Sequence, residues 1–156
     1  MAIQCFSHLG VCVSDLERAE RFYVRGLGFA READLRVQGE PSDTLLDLKE
    51  TDLQAVYLTR DGVRVELLHY RSPGTLAGAR PRAMNELGLT HLSLRVEDLE
   101  ESLRTCAEAG GEVLLGTRIG APAQGAGAAF VLDPDGTRIE LVETPGDPTR
   151  PPGASS

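Results

Sequence analysis

The sequence predicts an α+β fold made of two tandem βαβββ modules, and three observations support this prediction. One phrase is written twice: residues 60–68 read RDGVRVELL and residues 134–142 read PDGTRIELV. His8 and His91 lie 83 positions apart (91 − 8), and an Asp-Leu dipeptide recurs at the same offset. In each half, hydrophobic periodicity indicates a strand, a helix and three more strands, in that order. A repeat on this scale indicates a duplicated structural unit.

The first predicted module covers residues 1–69. Ser14 and Glu17 have the spacing of a capping box at the start of its helix, and Gly26 ends that helix. Residues 37–50 are polar and irregular, which predicts a loop. Alternating runs rich in β-forming residues predict strands at residues 3–13, 29–36, 53–59 and 63–68.

Residues 70–88 are predicted to form a linker. The second predicted module covers residues 89–143. Asp98 and Glu101 are placed to cap its helix. Residues 117–127 contain the stretch GAPAQGA, which indicates either a mobile lid or a slack loop. Strands are predicted at residues 90–96, 112–116, 128–132 and 137–143.

Composition excludes several classes of partner. A net charge of −8 and a pI near 4.9 argue against nucleic acid, because phosphate binding needs a basic face. No apolar run approaches the ~18 residues of a membrane-spanning helix. Cys5, Cys12 and Cys106 form an odd set without metal-type spacing, which predicts reduced thiols and a cytoplasmic location. The Pro/Gly/Ser-rich tail, residues 144–156, is predicted to be disordered.

Strand alternation predicts one apolar and one polar face in each module. The apolar face must pack under the helix, so the opposite face carries four chemically useful side chains: His8, Glu66, His91 and Glu140. Two imidazoles and two carboxylates suit one divalent metal, namely zinc, nickel, cobalt, manganese or iron(II). The same face carries Arg64, Arg95 and Arg138, which either are solvated or recognise an anionic substrate.

Equivalence between the repeats strengthens the metal hypothesis. A single His in a strand is more often packed or exposed than a ligand, and a single Glu on a sheet is usually solvated. Four such residues at matching places in two modules are not independent accidents. A carboxylate ligand can also leave its metal and accept a proton, so Glu66 and Glu140 are candidate catalytic groups.

Four motifs resemble the vicinal oxygen chelate superfamily: HLGVCVSDLERAERFYVRGLGF, GVRVELL, THLSLRVEDLEES and DPDGTRIELVE. This superfamily includes glyoxalase I, methylmalonyl-CoA epimerase, extradiol dioxygenases, fosfomycin-resistance enzymes and bleomycin-binding proteins. The resemblance spans residues ~3–143. It implies a cup-shaped curved sheet with helices outside, a metal in the cup, and a homodimer.

The resemblance also carries over site residues one by one. His8 and His91 match the ligands on the first strand of each module, and Glu140 matches the ligand on the final strand. Glu66 matches the fourth protein ligand of glyoxalase I. These matches favour a metal-dependent isomerase or lyase that moves a proton beside a metal-bound carbonyl through an enediolate, with a small anionic or thioester substrate.

Two other functions stay open at this point. One is a metal-free drug-binding or natural-product-binding protein, although such proteins often lack the ligand set that this chain keeps. The other is a ring-cleaving dioxygenase, which needs open metal positions that a fourth ligand would fill. Such enzymes also use an additional His near the metal, and alternation places the remaining one, His69, on the apolar face.

Overall fold

The computed structural model describes residues 2–76, 83–121 and 125–152. The chain divides into two compact units, residues 1–78 and residues 79–156. Each unit contains one four-stranded mixed sheet. The predicted fold class, two tandem βαβββ modules, is therefore confirmed. In the described part of the chain, no helix is both long and apolar enough to cross a membrane.

The first unit has strand order β1-β4-β3-β2, in which β1 runs parallel to β4 and the other neighbours are antiparallel. A π-helical turn at Phe22–Gly26 extends its first helix. Its elements are β1 (Leu9–Cys12), α1 (Leu16–Arg21), β2 (Ala30–Gln38), α2 (Glu40–Leu46), β3 (Asp52–Arg60) and β4 (Val63–Ser72).

The second unit repeats this topology with strand order β5-β8-β7-β6, and β5 runs parallel to β8. Its elements are β5 (Leu92–Val96), α3 (Leu99–Glu108), β6 (Glu112–Ala121), β7 (Ala126–Leu132) and β8 (Arg138–Glu143). The repeated phrase marks the last hairpin of each module, β3-β4 and β7-β8, as predicted.

The first strand of each module is shorter than predicted. β1 begins at Leu9, which pairs with Val65, rather than at residue 3; in this register β4, which begins at Val63, offers no partner to residues 3–6. β5 likewise begins at Leu92 rather than residue 90. His8 and His91 consequently stand immediately before these strands.

The same type of cap starts the helix that follows the first strand of each module. The carboxylate of Asp98 accepts a hydrogen bond from the backbone N–H of Glu101, at 2.9 Å. Asp15 accepts from the N–H of Arg18 at the same distance. The predicted capping box of Ser14 and Glu17 is therefore wrong by one position, and the Ser14 hydroxyl instead accepts from the Arg18 guanidinium at 3.0 Å.

The predicted loop at residues 37–50 is largely regular structure. Its first two residues belong to β2, and α2 begins after Gly39, which has a positive φ of 85°. α2 buries none of its residues, so it has no apolar stripe by which periodicity could reveal it. The Asp43 carboxylate accepts from the N–H groups of Thr51 (2.8 Å) and Glu50 (3.1 Å), which ties α2 to the start of β3.

The predicted loop at residues 117–127 is mostly a hairpin. β6 continues to Ala121 and β7 begins at Ala126, while residues 122–124 lie outside the described residues. A Cβ on Gly120 would lie 2.4 Å from the Cα of Gly127. The glycines therefore permit close approach of two strands, which corrects the expectation of a slack loop for residues 117–121 and 126–127.

Two other predicted segments are described in part. β4 runs to Ser72, three residues into the predicted linker, and residues 77–82 of that linker lie outside the described residues. In the predicted tail, the Arg95 guanidinium donates to the carbonyl oxygens of Thr144 at 2.6 Å and of Pro145 at 3.2 Å. Residues 153–156 lie outside the described residues.

Alternation along the strands separates a core face from a polar face, as predicted. Val65 and Leu67 in β4 are completely buried, and Ile139 and Leu141 in β8 are at most 1% exposed. Burying each such side chain stabilises the fold by roughly 1.5–3 kcal/mol. The intervening residues, including both candidate glutamates, project from the opposite face.

Candidate metal centre

Parallel pairing of the first and last strands joins a His to a Glu in the first module. β1 and β4 pair with Gly10 opposite Glu66, and His8 lies two residues before Gly10, on the same face. His8 Nε2 is 3.1 Å from Glu66 Oε2. The His side chain is 34% exposed and the Glu side chain 12% exposed, so solvent reaches the pair mainly from the His side.

The second module repeats the arrangement. β5 and β8 pair with Ser93 opposite Glu140, and His91 lies two residues before Ser93. His91 Nε2 is 3.7 Å from Glu140 Oε2, and each side chain is 29% exposed. The structure therefore brings together the two predicted ligands within each module.

A hydroxyl group orients each imidazole. The Ser7 hydroxyl lies 2.9 Å from His8 Nδ1, and the Thr90 hydroxyl lies 2.9 Å from His91 Nδ1. This contact occupies Nδ1 and leaves Nε2 facing the glutamate, which is the arrangement that metal-binding histidines commonly use. Neither hydroxyl residue is predicted from the sequence, although the Ser-His and Thr-His dipeptides are a usable signal.

An aromatic ring stands beside each His. Tyr57 contacts His8 edge to face, with ring centroids 5.5 Å apart, and Phe130 contacts His91 in the same way at 5.6 Å. Tyr57 pairs with Glu66 across β3 and β4. Interaction with the neighbouring Glu66 carboxylate, together with partial burial, raises the pKa of Tyr57 to about 12. Aligning the two hairpins would have revealed the aromatic position, which is not predicted from the sequence.

Glu140 has a hydroxyl partner on the neighbouring parallel strand, β5. The Ser93 hydroxyl donates to Glu140 Oε2 at 2.7 Å. Phe130, which pairs with Glu140 across β7 and β8, has no hydroxyl to donate. The two glutamates thus occupy equivalent backbone positions with different neighbours.

The first of the three predicted substrate-binding arginines is already paired. Arg64 binds the Glu32 carboxylate through two hydrogen bonds, Nε–Oε2 at 2.7 Å and Nη2–Oε1 at 2.6 Å. This fork holds the pKa of Glu32 below its ordinary value and the pKa of Arg64 above its own. Arg64 and Glu32 line a small open cavity of about 200 Å³ whose other lining residues are Ser7, His8, Ala33 and Tyr57.

The other two arginines have different surroundings. Arg95 donates to the backbone carbonyls of the segment after β8, as described above. The Arg138 guanidinium carbon lies 5.7 Å from the centroid of the Phe130 ring, beside the second His–Glu pair. His69 lies among the core-facing positions of β4, as alternation predicts, with Nδ1 3.3 Å from the Val13 carbonyl oxygen.

The donor sets fit a divalent metal. Two donor atoms that share a metal at about 2.0–2.2 Å, with an angle of about 90–110° between them, lie about 3.0–3.5 Å apart. The observed His–Glu separations of 3.1 and 3.7 Å are close to that range. Within residues 2–76, 83–121 and 125–152, no group of three or more His, Cys, Asp or Glu side chains is close enough to hold a metal ion. Each module by itself offers one imidazole and one carboxylate.

Comparison with known families gives one match that covers most of the chain. The model of the family described as Glyoxalase/Bleomycin resistance protein/Dioxygenase superfamily matches residues 6–141. No curated protein is significantly similar to the chain in sequence.

Solved structures with the same fold are numerous. A glyoxalase family protein from Bacillus cereus is 24% identical with a TM-score of 0.76, over 92% of this chain and 97% of that one. The fosfomycin resistance protein FosX from Listeria monocytogenes is 15% identical with a TM-score of 0.59, over 90% of this chain and 94% of its own. Glyoxalase I from Zea mays is 17% identical with a TM-score of 0.61, over 90% of this chain and 45% of its own.

Proposed function

The chain belongs to the Glyoxalase/Bleomycin resistance protein/Dioxygenase superfamily, and within it we propose that the protein is a metal-dependent isomerase or lyase of the glyoxalase and epimerase type. Members of this superfamily generally use a divalent metal, and they include enzymes such as glyoxalase I and FosX. The proposed ligands of one metal ion (nickel, zinc, cobalt, manganese or iron) are His8, Glu66, His91 and Glu140.

One observation carries this proposal, namely the presence of an oriented His–Glu pair in both modules. The separation of 3.1 Å in the first module and the hydroxyl contact to each Nδ1 support ligation through Nε2 and a carboxylate oxygen. Four protein ligands leave few open metal positions, which suits polarisation of a substrate oxygen better than dioxygen chemistry. The position of His69 beside the Val13 carbonyl supports the same choice.

The glutamates account for the proton transfer in this proposal. A bound divalent metal would supply a Lewis acid that polarises the substrate carbonyl and acidifies the adjacent C–H. Glu66 and Glu140 are the candidate groups that remove a proton from that carbon and return it. The Ser93 hydroxyl donates to Glu140 at 2.7 Å and holds that carboxylate at a defined position, while Glu66 lies 3.1 Å from His8 Nε2.

The contacts of the three arginines bear on where a substrate would bind. Arg64 is neutralised by the bidentate contact with Glu32, and Arg95 is engaged with backbone carbonyls. Arg138 lies against Phe130, and its position next to the second His–Glu pair supports the proposal that it contacts an anionic or thioester substrate. The partner is then a small molecule, and a homodimer stays a prediction that light scattering would test.

The deciding experiment measures metal content and proton exchange at the substrate carbon on the same protein preparation. Untagged protein, purified without added metal, is analysed for metal per chain alongside the double variant H8A/H91A and the surface control E108Q on α3. We expect about one metal per chain in wild type and E108Q, and strong loss in H8A/H91A. Proton exchange beside the carbonyl of hemithioacetal and acyl-CoA probes is followed by NMR in D₂O.

Two outcomes would contradict the proposal. Wild-type protein that neither contains metal nor binds it on titration would favour a metal-free binding protein instead. Stoichiometric iron with oxygen uptake on catechols, but without C–H exchange, would favour a ring-cleaving dioxygenase.

A further inference from the structure

The outermost strand of the second module, β6, bulges beside Phe130. Pairing of β6 with β7 places Leu114 opposite Phe130 and resumes only at Ile119, which lies opposite Ala128. Residues 115–118 of β6 therefore interrupt the ladder. A bulge of this kind re-aims side chains and is common next to active sites, so the side chains of residues 115–118 deserve a functional explanation.

The hydroxyl of Thr117 bridges the two strands at this bulge. Its oxygen accepts a hydrogen bond from the backbone N–H of Phe130 at 2.9 Å, and the hydroxyl donates to the carbonyl oxygen of Leu114 at 2.7 Å. Leu114 and Phe130 are paired residues, so one half-buried side chain connects backbone groups that face each other across the ladder. The position of Phe130 relative to β6 therefore depends on Thr117.

Phe130 connects the bulge to the candidate metal centre. Its N–H points towards β6, so Phe130 and Glu140 form a non-hydrogen-bonded pair across β7 and β8, in which side chains approach most closely. The Phe130 ring meets the His91 imidazole edge to face, with centroids 5.6 Å apart and planes at 89°. The Arg138 guanidinium carbon lies 5.7 Å from the same ring centroid. One ring thus contacts two groups that the proposed function uses.

The first module also has a bulge beside its aromatic residue. β2 shifts register immediately before Ala33, which pairs with Tyr57. The bulged residue, Glu32, binds the Arg64 guanidinium through two hydrogen bonds. The two modules therefore place a bulge at the same point of the sheet and fix it with different groups, an ion pair in the first module and the Thr117 hydroxyl in the second.

We infer that Thr117 is a positioning residue of the second His–Glu pair, because its hydroxyl fixes Phe130 in β7 and the Phe130 ring in turn fixes the His91 imidazole for metal binding. This inference rests on the proposed function and adds to it a residue that touches neither the metal nor the substrate. A phenylalanine ring has two rotatable bonds, so its position follows that of its backbone. A shift of Phe130 would consequently release the imidazole.

The test removes the hydroxyl and keeps the shape of the side chain. T117V lacks the bridging group, and T117S is the matched control that retains it. Both variants and wild type are titrated with zinc or nickel against a chromophoric chelator. Loss of a group that orients a metal ligand typically weakens metal binding by about 10–100-fold, and we expect about 10-fold for T117V because it acts through Phe130. T117S should bind metal as wild type does.

A spectroscopic measurement on the metal-free protein shows whether His91 itself moves. The ring current of Phe130 shifts the NMR signals of the His91 ring protons, and this shift depends on the distance and tilt between the two rings. We expect T117V to displace the His91 signals and T117S to leave them in place. The signals of His8 in the first module should stay unchanged in both variants, which makes them an internal control.

A double-mutant cycle tests whether Thr117 acts through Phe130. F130L removes the ring but keeps an apolar side chain, and the cycle compares T117V, F130L and T117V/F130L. If the ring carries the effect, T117V weakens metal binding in the wild-type background but changes it by less than about twofold in the F130L background. An effect of Thr117 that bypasses Phe130 would instead appear in full in both backgrounds.

Three results would overturn the inference: wild-type affinity and unshifted His91 signals in T117V, equal losses in T117S and T117V, or additive losses in the cycle. F130L decides the matter even if T117V does not fold, since wild-type metal affinity in F130L shows that the ring does not position the ligand. If wild type itself binds no metal, the proposed function fails. The His91 signals of metal-free T117V then still show whether Thr117 positions the imidazole, so the two failures are distinguishable.

Discussion

Replacing Glu66 with Gln separates the chemical role of this side chain from its structural role. Gln has nearly the same shape as Glu and keeps one side-chain oxygen that can accept a hydrogen bond, so the local packing survives the change. What disappears is the negative charge 3.1 Å from His8 Nε2. A metal would lose one of its two proposed anionic ligands, and a substrate would lose one candidate base.

The expected magnitudes follow from exposure and geometry. The attraction between His8 and Glu66 exists only while the imidazole is protonated, and such partly exposed pairs contribute about 0.2–1 kcal/mol. The metal-free E66Q protein should therefore lose at most about 4 °C in Tm. Removing a group that only orients a metal ligand typically weakens metal affinity by roughly 10–100-fold, and loss of the ligand itself should weaken it by more. Turnover should fall by about 10²–10⁴-fold if the Glu66 carboxylate moves a proton.

The assay combines three measurements on E66Q and on the exposed control E108Q. Differential scanning calorimetry in the presence of chelator gives the unfolding temperature, competition with a chromophoric chelator gives metal affinity, and NMR gives C–H exchange. E108Q should match wild type in all three. If E66Q also matches wild type in affinity and exchange, Glu66 is neither a ligand nor a base, and the four-ligand reasoning is refuted.

Three further predictions test other features of the chain. Because Arg64 lowers the pKa of Glu32, the ion pair stabilises the folded protein above the ordinary pKa of a Glu, and this stabilisation is lost as pH falls through the lowered pKa. The difference in urea midpoint between wild type and E32Q should therefore shrink in acid. A difference that stays constant with pH would contradict the pairing. The Asp15 cap predicts a loss of about 1 kcal/mol in unfolding free energy for D15A and much less for S14A, measured by urea denaturation. Equal losses in the two variants would instead support the capping box of Ser14 and Glu17. G120A should destabilise the second unit by more than about 1 kcal/mol because Gly120 combines a φ of 108° with close strand contact, and an unchanged unfolding midpoint would contradict that geometry.

The sequence predicts the fold of the modules well because the same sequence pattern occurs in both halves of the chain. Repetition of the strand–helix–strand pattern marks the order of elements, and alternation correctly assigns Val65 and Leu67 to the core and Glu66 to the other face. The prediction fails where no periodicity exists. α2 has no buried face to reveal it, and the hairpin that contains Gly120 has a composition that resembles a loop.

The site is predictable only in its most repetitive part. His8 and Glu66 are recognisable because each has a counterpart in the second half at a matching position. The supporting groups differ in kind between the modules, so repetition does not point to them. Tyr57 is an ordinary strand residue by composition, and only strand pairing shows that it stands opposite a glutamate.

Parallel pairing of the first and last strands of each module explains how this duplication builds a ligand pair twice. In β1-β4 and β5-β8, the residue opposite each glutamate lies two positions after the His, so the His–Glu contact follows from register alone. Each glutamate also has two cross-strand neighbours, Gly10 and Tyr57 for Glu66 and Ser93 and Phe130 for Glu140. These neighbours can change without moving the ligands, because the His–Glu contact depends on register. The Ser93 hydroxyl that donates to Glu140 accordingly has no counterpart at Gly10, so the duplication keeps the pair while the surroundings of the two carboxylates differ.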